Sequence, residues 1–464
     1  MRAAVRRHSG SFRDPSGQIY ESEERVFRAI HAQGASEYEA ARPMLESLVA
    51  AGRLVAFEEI SSARRHPALP NAAYVLEHPR LKPITFPYEW PFLVLKEAAL
   101  FHLRLHLDLL ASGFTLSDAT AYNVQFRGTK PIFIDHLSIR RYRAGEFWRG
   151  HRQFCEQFLN PLLLRAFFGI PHNSWYRGNL EGIPQAEFAD LVPLRRRLSW
   201  RLLSNVILPA QLQRRFTSDS RPSLKLAERQ LPLVGFTAML KQLLAWISRL
   251  EPCDRHATTW AAYSGTTTYN DEETRLKHAF VADFIHAVAP ETVVDLGCNT
   301  GNYSRVALQA GAKSVVGFDF DQQALDQAYR TAAAESLDFL PLYLDAANPS
   351  PRQGWMQSER DGFADRVRAD AVLALAFEHH LAIGRNVPID DVVGWIVDIA
   401  PNGVIEFVSK SDPTVQEMLS LREDVFDDYT PAAFEAALQR RARIVKRKTV
   451  SASGRTLYAY SRAG

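Results

Sequence analysis

The chain has 464 residues, of which 46% are hydrophobic and 23% are charged, and its formal net charge is +3. This balance is typical of a globular protein with two or three domains and excludes a disordered chain. The small net charge gives no reason to expect a nucleic-acid partner, and no apolar run reaches the roughly 20 residues of a membrane span. Three widely spaced cysteines without metal-ligand spacing favour a cytoplasmic protein.

Residues 1–90 predict a small α+β N-terminal lobe. Gln18–Tyr20 and Arg25–Ile30 predict strands around a turn. Glu37–Ala51 predicts a helix that Ser36 would cap. Six prolines are then expected to break up any regular element, namely Pro67, Pro70, Pro79, Pro83, Pro87 and Pro91.

Residues 91–250 predict a mainly helical region that contains one hairpin. The segment Phe92–Ala111 alternates in hydrophobicity, but it is too long for a strand and ends at Ser112-Gly113, so we expect a helix. Asn123–Phe126 and Pro131–Asp135 predict the two strands of the hairpin.

Three polar residues of this region are expected to meet. Asn123 and Asp135 lie at paired ends of the hairpin, and Asp118 precedes it in the feeding loop. The pattern D-x-x-x-x-N, followed by a strand that ends in aspartate, resembles the catalytic loop of protein-kinase-like phosphotransferases. The resemblance implies Asp118 as base and Asn123 with Asp135 as magnesium ligands. Leu116 departs from the histidine usual there, and polar hairpin ends that merely cap the loop are the alternative.

Residues 251–464 alternate between apolar strands and helices, which predicts a parallel sheet covered on both faces. Val293 and Val294 lead into Asp295, and a glycine loop then enters a helix near Tyr303. Glycines let the backbone approach a ligand, and a helix N-terminus offers amides to an anion such as a carboxylate. Asp319 ends the second strand, where it suits ribose hydroxyls.

The pattern D-x-G-x-x-x-G resembles the signature of class I S-adenosylmethionine-dependent methyltransferases. The resemblance implies a Rossmann-like seven-stranded sheet and the cofactor S-adenosyl-L-methionine. Asp345, at the end of the third strand, would accept from the adenine amino group. A Rossmann-like fold with another nucleotide, or with none, is the alternative. The expected cofactor-binding residues are Asp295, Gly297, Asn299, Thr300, Gly301, Asp319, Asp345 and Ala346.

The fourth predicted strand, Ala371–Ala376, is followed by Glu378, His379 and His380. Ligands of such sheets lie beyond the carboxyl ends of the strands, so His379 is the first choice for a base or a substrate contact, before His380 and Glu378. The three residues could equally cap the next helix or pair with each other. Upstream, Tyr263, Tyr269 and Lys277 would either cover the cofactor or pack.

The whole chain is similar to a bacterial family that includes a host-specificity nodulation protein. This similarity rests on Tyr88-Glu89-Trp90-Pro91, Asp118 to Asn123, Asn299-Thr300-Gly301 and Asn348-Pro349-Ser350-Pro351. It implies a methyltransferase whose acceptor is unidentified, and we expect a small molecule or a carbohydrate-type metabolite. A bifunctional phosphotransferase–methyltransferase and a non-catalytic cofactor-binding scaffold are the alternatives. The sequence leaves the oligomeric state open.

Overall fold

The computed structural model describes residues 5–22, 24–61, 69–211, 230–253, 271–420 and 422–462. The N-terminal lobe contains a five-stranded antiparallel sheet with the order β1-β2-β3-β5-β4. Its elements are β1 (Arg6–Arg7), β2 (Gly17–Glu21), β3 (Arg25–Ile30), α1 (Ala32–Ala50), β4 (Glu58–Glu59) and β5 (Tyr74–Pro79). The two strands predicted around a turn are therefore confirmed as β2 and β3.

Two expectations for this lobe were wrong. Helix α1 begins at Ala32, so Ser36 lies inside the helix, and His31 precedes the helix without a side-chain capping bond. Gly34 lies close against Ser16 in this first turn, so tertiary packing sets the start of α1. Strand β5 forms in the proline-rich segment because it pairs with β3, and Pro79 is its last residue, beyond the two residues that pair with β4.

The central region agrees with the predicted helix and hairpin. Helix α2 spans Phe92–Ala111, the predicted range, and most of its side chains are buried. The short strands of the region are β6 (Phe114–Leu116), β7 (Val124–Arg127), β8 (Lys130–Phe133) and β9 (Ile139–Arg141). Strands β7 and β8 form the hairpin, and β6 pairs with β9 across it.

Helices make up most of the rest of this region. They are α3 (His151–Phe154), α4 (Asn160–Phe168), α5 (Asn173–Gly178), α6 (Gln185–Leu191), α7 (Leu194–Arg197), α8 (Trp200–Leu202) and α9 (Leu233–Ile247). Two π-helical turns, Cys155–Leu159 and Leu203–Ile207, follow α3 and α8 directly. Helix α9 packs against α2.

The C-terminal region is built on a seven-stranded sheet with the order β12-β11-β10-β13-β14-β16-β15. Its strands are β10 (Thr292–Leu296), β11 (Ser314–Asp319), β12 (Phe339–Tyr343), β13 (Ala371–Ala374), β14 (Asn402–Phe407), β15 (Arg443–Thr449) and β16 (Thr456–Ser461). The first five strands run parallel, and β16 is antiparallel to both of its neighbours. This is the predicted Rossmann-like sheet, and its strand order reverses between β10 and β13.

Eight helices are described in this region. They are α10 (Asp271–Val288), α11 (Asn302–Gln309), α12 (Gln322–Ala334), α13 (Phe363–Arg366), α14 (Glu378–Ala382), α15 (Ile389–Ile399), α16 (Pro413–Ser420) and α17 (Pro431–Gln439). Successive residues of β10 pack into two different hydrophobic cores, one on each face of the sheet. Val293 belongs to one core, and Val294 belongs to the other. The sheet is therefore buried on both faces, as its unbroken apolar strands predict.

The N-terminal and C-terminal halves share one hydrophobic core, which contains both Leu95 of α2 and Ile396 of α15. Polar contacts join them as well. Asp326 Oδ1 accepts a hydrogen bond of 2.9 Å from the backbone amide of Leu93, and the buried guanidinium of Arg366 pairs with Glu89. The division of the chain at residue 250 stays a prediction. None of the helices in the described ranges is long and apolar enough to span a bilayer.

Candidate active site

The glycine loop between β10 and α11 has the shape that its sequence predicts. Gly297, Asn299 and Gly301 have φ values of 72°, 48° and 84°. Gly301 is the N-cap of α11, and a Cβ atom at this position would collide with the ring of Phe339. The loop therefore needs glycine at 301 for two reasons, the left-handed backbone and the close approach of Phe339.

Two predicted acids hold this loop in place. Asp319 Oδ2 accepts a hydrogen bond of 2.8 Å from the backbone amide of Asn299, so the ends of β10 and β11 are joined. Asp295 is buried, and Ser304 Oγ of α11 donates to its Oδ2 over 2.6 Å. Burial raises the pKa of Asp295 to about 7, and the bond from Ser304 lowers it. The same burial raises the pKa of Asp319 above its ordinary value.

The carboxyl end of β12 carries the other predicted cofactor residues. Asp345 is half-buried, and its Oδ1 accepts from the backbone amide of Ala347 over 3.2 Å. Ala346 packs against the main core. Next to them lies an aromatic face, formed by Phe320 and Tyr343, that the sequence analysis did not predict. Phe320 is 57% exposed, and its ring centroid is 5.8 Å from that of Tyr343. The available signal in the sequence was an aromatic residue directly after Asp319, at the carboxyl end of a predicted strand.

The residues of this sheet fit S-adenosylmethionine. The loop at β10 presents backbone to a carboxylate, Asp319 and Asp345 follow on β11 and β12, and Phe320 offers an apolar face to a ring. The three strands are neighbours in this order, so the groups lie along one sheet edge in the sequence that an extended nucleoside ligand requires. Each individual assignment remains a prediction.

Glu378, His379 and His380 begin α14, after β13. Glu378 is fully buried, and its Oε1 accepts from the backbone amide of Val408 and lies near the Tyr429 hydroxyl, both at 2.8 Å. His379 is also buried, with its Nδ1 3.4 Å from Glu378 Oε2. His380 is half-buried with its ring centroid 4.0 Å from that of His379, and burial lowers its pKa to about 3.

Lys277, expected either to cover the cofactor or to pack, lies in a buried ion pair. Its Nζ is 2.7 Å from Glu406 Oε2, and both side chains are almost completely excluded from solvent. The same ammonium group lies 4.9 Å from the centre of the Tyr303 ring on α11. The pair therefore ties α10 to β14 beside the glycine loop. The other two upstream residues, Tyr263 and Tyr269, fall outside the described residues.

In the N-terminal half, the three predicted polar residues do meet. Asn123 Nδ2 lies 3.3 Å from Asp118 Oδ1 and 3.3 Å from Asp135 Oδ2. Arg28 of β3 adds a guanidinium, with Nη1 3.1 Å from Asp135 Oδ1. Burial and, after it, the nearby Asp135 carboxylate raise the pKa of Asp118 to about 7. Asp135 also accepts from the backbone amide of Leu137, as the capping alternative predicts.

One further group of metal-ligating types is found among the described residues. His8, Glu21 and Asp361 have ligand atoms within 4.8 Å of one another. Glu21 is paired with the guanidinium groups of Arg6 and Arg80, both at 2.9 Å. Its charge is thus already neutralised by the chain.

Comparison with known proteins agrees with this geometry. Residues 275–374 match the family model of FtsJ-like methyltransferases. Over 458 residues the chain is 51% identical to nodulation protein NoeA of Rhizobium meliloti (strain 1021), covering 98% of this chain and 96% of that protein. The chain belongs to the NoeA family. This NoeA family member also shares 45% identity over 60 residues with the ribosomal protein L11 methyltransferase of Colwellia psychrerythraea (strain 34H / ATCC BAA-681), or 13% of this chain and 20% of that one.

Two solved structures are also similar. The N-methyltransferase NodS from Bradyrhizobium japonicum WM9 is 12% identical with a TM-score of 0.32, over 42% of this chain and 99% of that one. The bifunctional kinase-methyltransferase WbdD is 16% identical with a TM-score of 0.31, over 44% of this chain and 43% of that one. The fold assignment rests on the strand order of the sheet rather than on these low scores. Family, sheet and loop together make the chain an S-adenosylmethionine-dependent methyltransferase.

Proposed function

We propose that this NoeA family member methylates a small, hydroxyl-bearing acceptor of carbohydrate type. The observation that carries the proposal is the order of groups along the carboxyl edge of the sheet, from the glycine loop at β10 to Asp319 and Asp345. That order leaves the carboxyl ends of β13 and β14 for the acceptor, on the other side of the switch point. The small net charge favours a small molecule over nucleic acid.

The bound cofactor supplies a methyl group on a positively charged sulfur, which is already a good leaving group. The chain then has to hold both partners in line and keep water out. The first-turn amides of α11 bind a carboxylate, Asp319 binds two ribose hydroxyls, and Asp345 accepts from an amino group. Phe320 covers a ring face.

His379 and His380 are the proposed contacts of the acceptor. A histidine with a pKa of about 3 is neutral at physiological pH, so His380 can accept a hydrogen bond from an acceptor hydroxyl but is a poor proton acceptor. We therefore give His380 an orienting role. Glu378 already accepts from Val408 and holds His379, so its part is to position that ring.

Isothermal titration of S-adenosylmethionine tests the cofactor site. Asp319→Ala and Gly301→Val should each weaken binding at least about tenfold, because one removes a carboxylate and the other displaces the loop. Asp391→Ala, on the surface of α15, is the matched control and should bind like the wild type. Circular dichroism checks that Gly301→Val folds. Unchanged affinity in both site variants would contradict the assignment.

Radiolabelled cofactor and a fractionated cell extract test the acceptor class. We expect the label in a low-molecular-weight, sugar-containing fraction. His380→Ala should then lower kcat while leaving the affinity for the cofactor unchanged. Label in protein or RNA would show that the acceptor is a macromolecule and contradict the proposed acceptor class. Cofactor binding without methyl transfer to any fraction would favour a non-catalytic cofactor-binding scaffold.

The convergence of Asp118, Asn123, Asp135 and Arg28 favours a second activity, phosphotransfer in the N-terminal half. Asp118 would take the proton of an attacking hydroxyl, for which a pKa of about 7 is well suited. Asn123 and Asp135 would hold magnesium, and Arg28 would face the phosphates. This predicts magnesium-dependent ATP binding that is lost in Asp135→Ala. No binding at millimolar ATP would remove the proposal.

A further inference from the structure

A small cleft that is open to solvent lies between the two halves of the protein, at the carboxyl end of β12. One wall comes from the C-terminal half and includes Tyr343 and Asp345. The opposite wall comes from the N-terminal half and includes Tyr88, Ser174 and Arg177.

The position of the cleft identifies the part of a ligand that it can hold. Neighbouring strands lie about 4.8 Å apart, so the carboxyl end of β12 is about 10 Å from that of β10. A ligand whose carboxylate lies at the β10 loop, and whose ribose lies at Asp319, extends outward to Asp345. The cleft therefore lies at the base end of the nucleoside, not at its reactive sulfur.

Helix α5 of the N-terminal half holds the segment that follows Asp345. Arg177 Nη1 donates to the backbone oxygen of Asn348 over 2.6 Å. Gln353 Nε2 donates in return to the backbone oxygen of Arg177 over 2.8 Å. At the start of the same helix, Asn173 Oδ1 accepts from Gln322 of α12 over 2.9 Å. The two walls are thus fixed relative to each other.

The N-terminal wall also offers a polar group to a ligand. Tyr88 is 2% exposed, and its hydroxyl lies near Ser350 without a hydrogen bond of ordinary geometry in the described part of the chain. A buried hydroxyl without a good partner is costly, and a ring nitrogen in the cleft would relieve that cost. Ser174, in contrast, is exposed at the rim.

We propose that the N-terminal half forms the outer wall of the adenine pocket of the methyltransferase. Tyr88 donates to a ring nitrogen, and Arg177 is a positioning residue that holds the loop after Asp345. This inference rests on the proposed cofactor site, because it takes Asp319 and Asp345 as the neighbours of the nucleoside. It gives the N-terminal half a direct role in cofactor binding that does not depend on phosphotransfer.

Filling the cleft from the N-terminal side tests the inference. Ser174→Trp adds bulk at an exposed position, so folding is preserved, and it should weaken the binding of both S-adenosylmethionine and adenosine at least tenfold in isothermal titration of the full chain. Tyr88→Phe removes one hydroxyl and should weaken both about threefold to fivefold. Ser248→Trp, at the exposed end of α9, is the control for an added tryptophan and should change neither.

The outcomes separate this inference from the proposed function. The inference is supported if Ser174→Trp binds both ligands more weakly than the wild type and Asp319→Ala also binds them weakly. If Ser174→Trp has wild-type affinity but Asp319→Ala binds weakly, the N-terminal half does not form a wall of the adenine pocket, whereas the proposed cofactor site is retained. An unchanged cofactor affinity with a raised KM for the acceptor would overturn it in favour of an acceptor cleft. Unchanged binding in Ser174→Trp and in Asp319→Ala would overturn both the inferred wall and the proposed cofactor site.

Discussion

The two halves of the molecule treat their buried acids differently. Around the glycine loop of the C-terminal half, three acids have partners within the chain: Ser304 for Asp295, backbone amides for Asp319, and Lys277 for Glu406. In the N-terminal half Asp118 and Asp135 share the amide of Asn123, and the arginine at 28 pairs with Asp135 alone.

The difference shows in what raises each pKa. Both Asp295 and Asp118 have a pKa of about 7, and burial is the main cause for both. The next cause differs, because a hydrogen bond from Ser304 favours the charged form of Asp295, whereas the Asp135 carboxylate opposes the charged form of Asp118. Both carboxyls therefore ionise at about the same pH, but only at the N-terminal site is a neighbouring carboxylate the second cause, and an external cation could offset that repulsion.

The largest effect is expected from the C-terminal ion pair. Lys277→Met leaves the Glu406 carboxylate buried without its partner, so the free energy of unfolding should fall by about 3–5 kcal/mol. Urea denaturation measures this value. The double variant Lys277→Met, Glu406→Leu should recover most of the loss, because it removes both charges together. A loss of less than about 1 kcal/mol in the single variant would mean that Glu406 does not depend on Lys277 for its stability in the folded protein.

The sequence predicted the C-terminal half more fully than the N-terminal half, for a physical reason. Buried parallel strands such as Ala371–Ala374 are apolar runs, and the glycines at 297 and 301 are required by the local backbone. Both signals are local. Strand β5 and the start of α1 depend instead on pairing with β3 and on packing against Ser16, which no local pattern records.

The same division applies to the site. Asp319 ends a strand, so its position at the sheet edge could be predicted from the pattern, and the convergence of Asp118, Asn123 and Asp135 follows from hairpin geometry. The pairing of Lys277 with Glu406, 129 positions apart, could not be read, because it requires the packing of α10 against β14. The cleft between the halves was hidden for the same reason.

A smaller effect is expected at the N-terminal site when its arginine is removed. Arg28→Met leaves Asp135 without a cation, and we expect the free energy of unfolding at about pH 8 to fall by about 1–3 kcal/mol. The effect should be smaller near pH 5, where Asp118 is already protonated and the repulsion is reduced. Magnesium should restore part of the loss if the site binds a cation. A loss that is equal at both pH values would contradict the proposed repulsion.

The smallest effect, and one of opposite sign, is expected from Asp118→Asn. A carboxyl group whose pKa is raised on folding binds its proton more tightly in the folded state, so its contribution is complete below about pH 4 and is lost as the pH rises to about 7. The amide removes this loss and should raise the free energy of unfolding at about pH 8 by about 1 kcal/mol, a value discounted for the partial exposure of the group. Thermal denaturation across this pH range measures it.

The matched change in the other half is Asp295→Asn. Because Asp295 is almost completely buried, the new amide NH2 group would be taken out of water, so this change should stabilise the protein less than Asp118→Asn does, and magnesium should not alter the effect. Magnesium held by Asn123 and Asp135 should stabilise both the wild type and Asp118→Asn, and this stabilisation should be absent in Asp135→Ala. A larger gain from Asp295→Asn than from Asp118→Asn, or a magnesium effect that persists in Asp135→Ala, would contradict the contrast between the two sites.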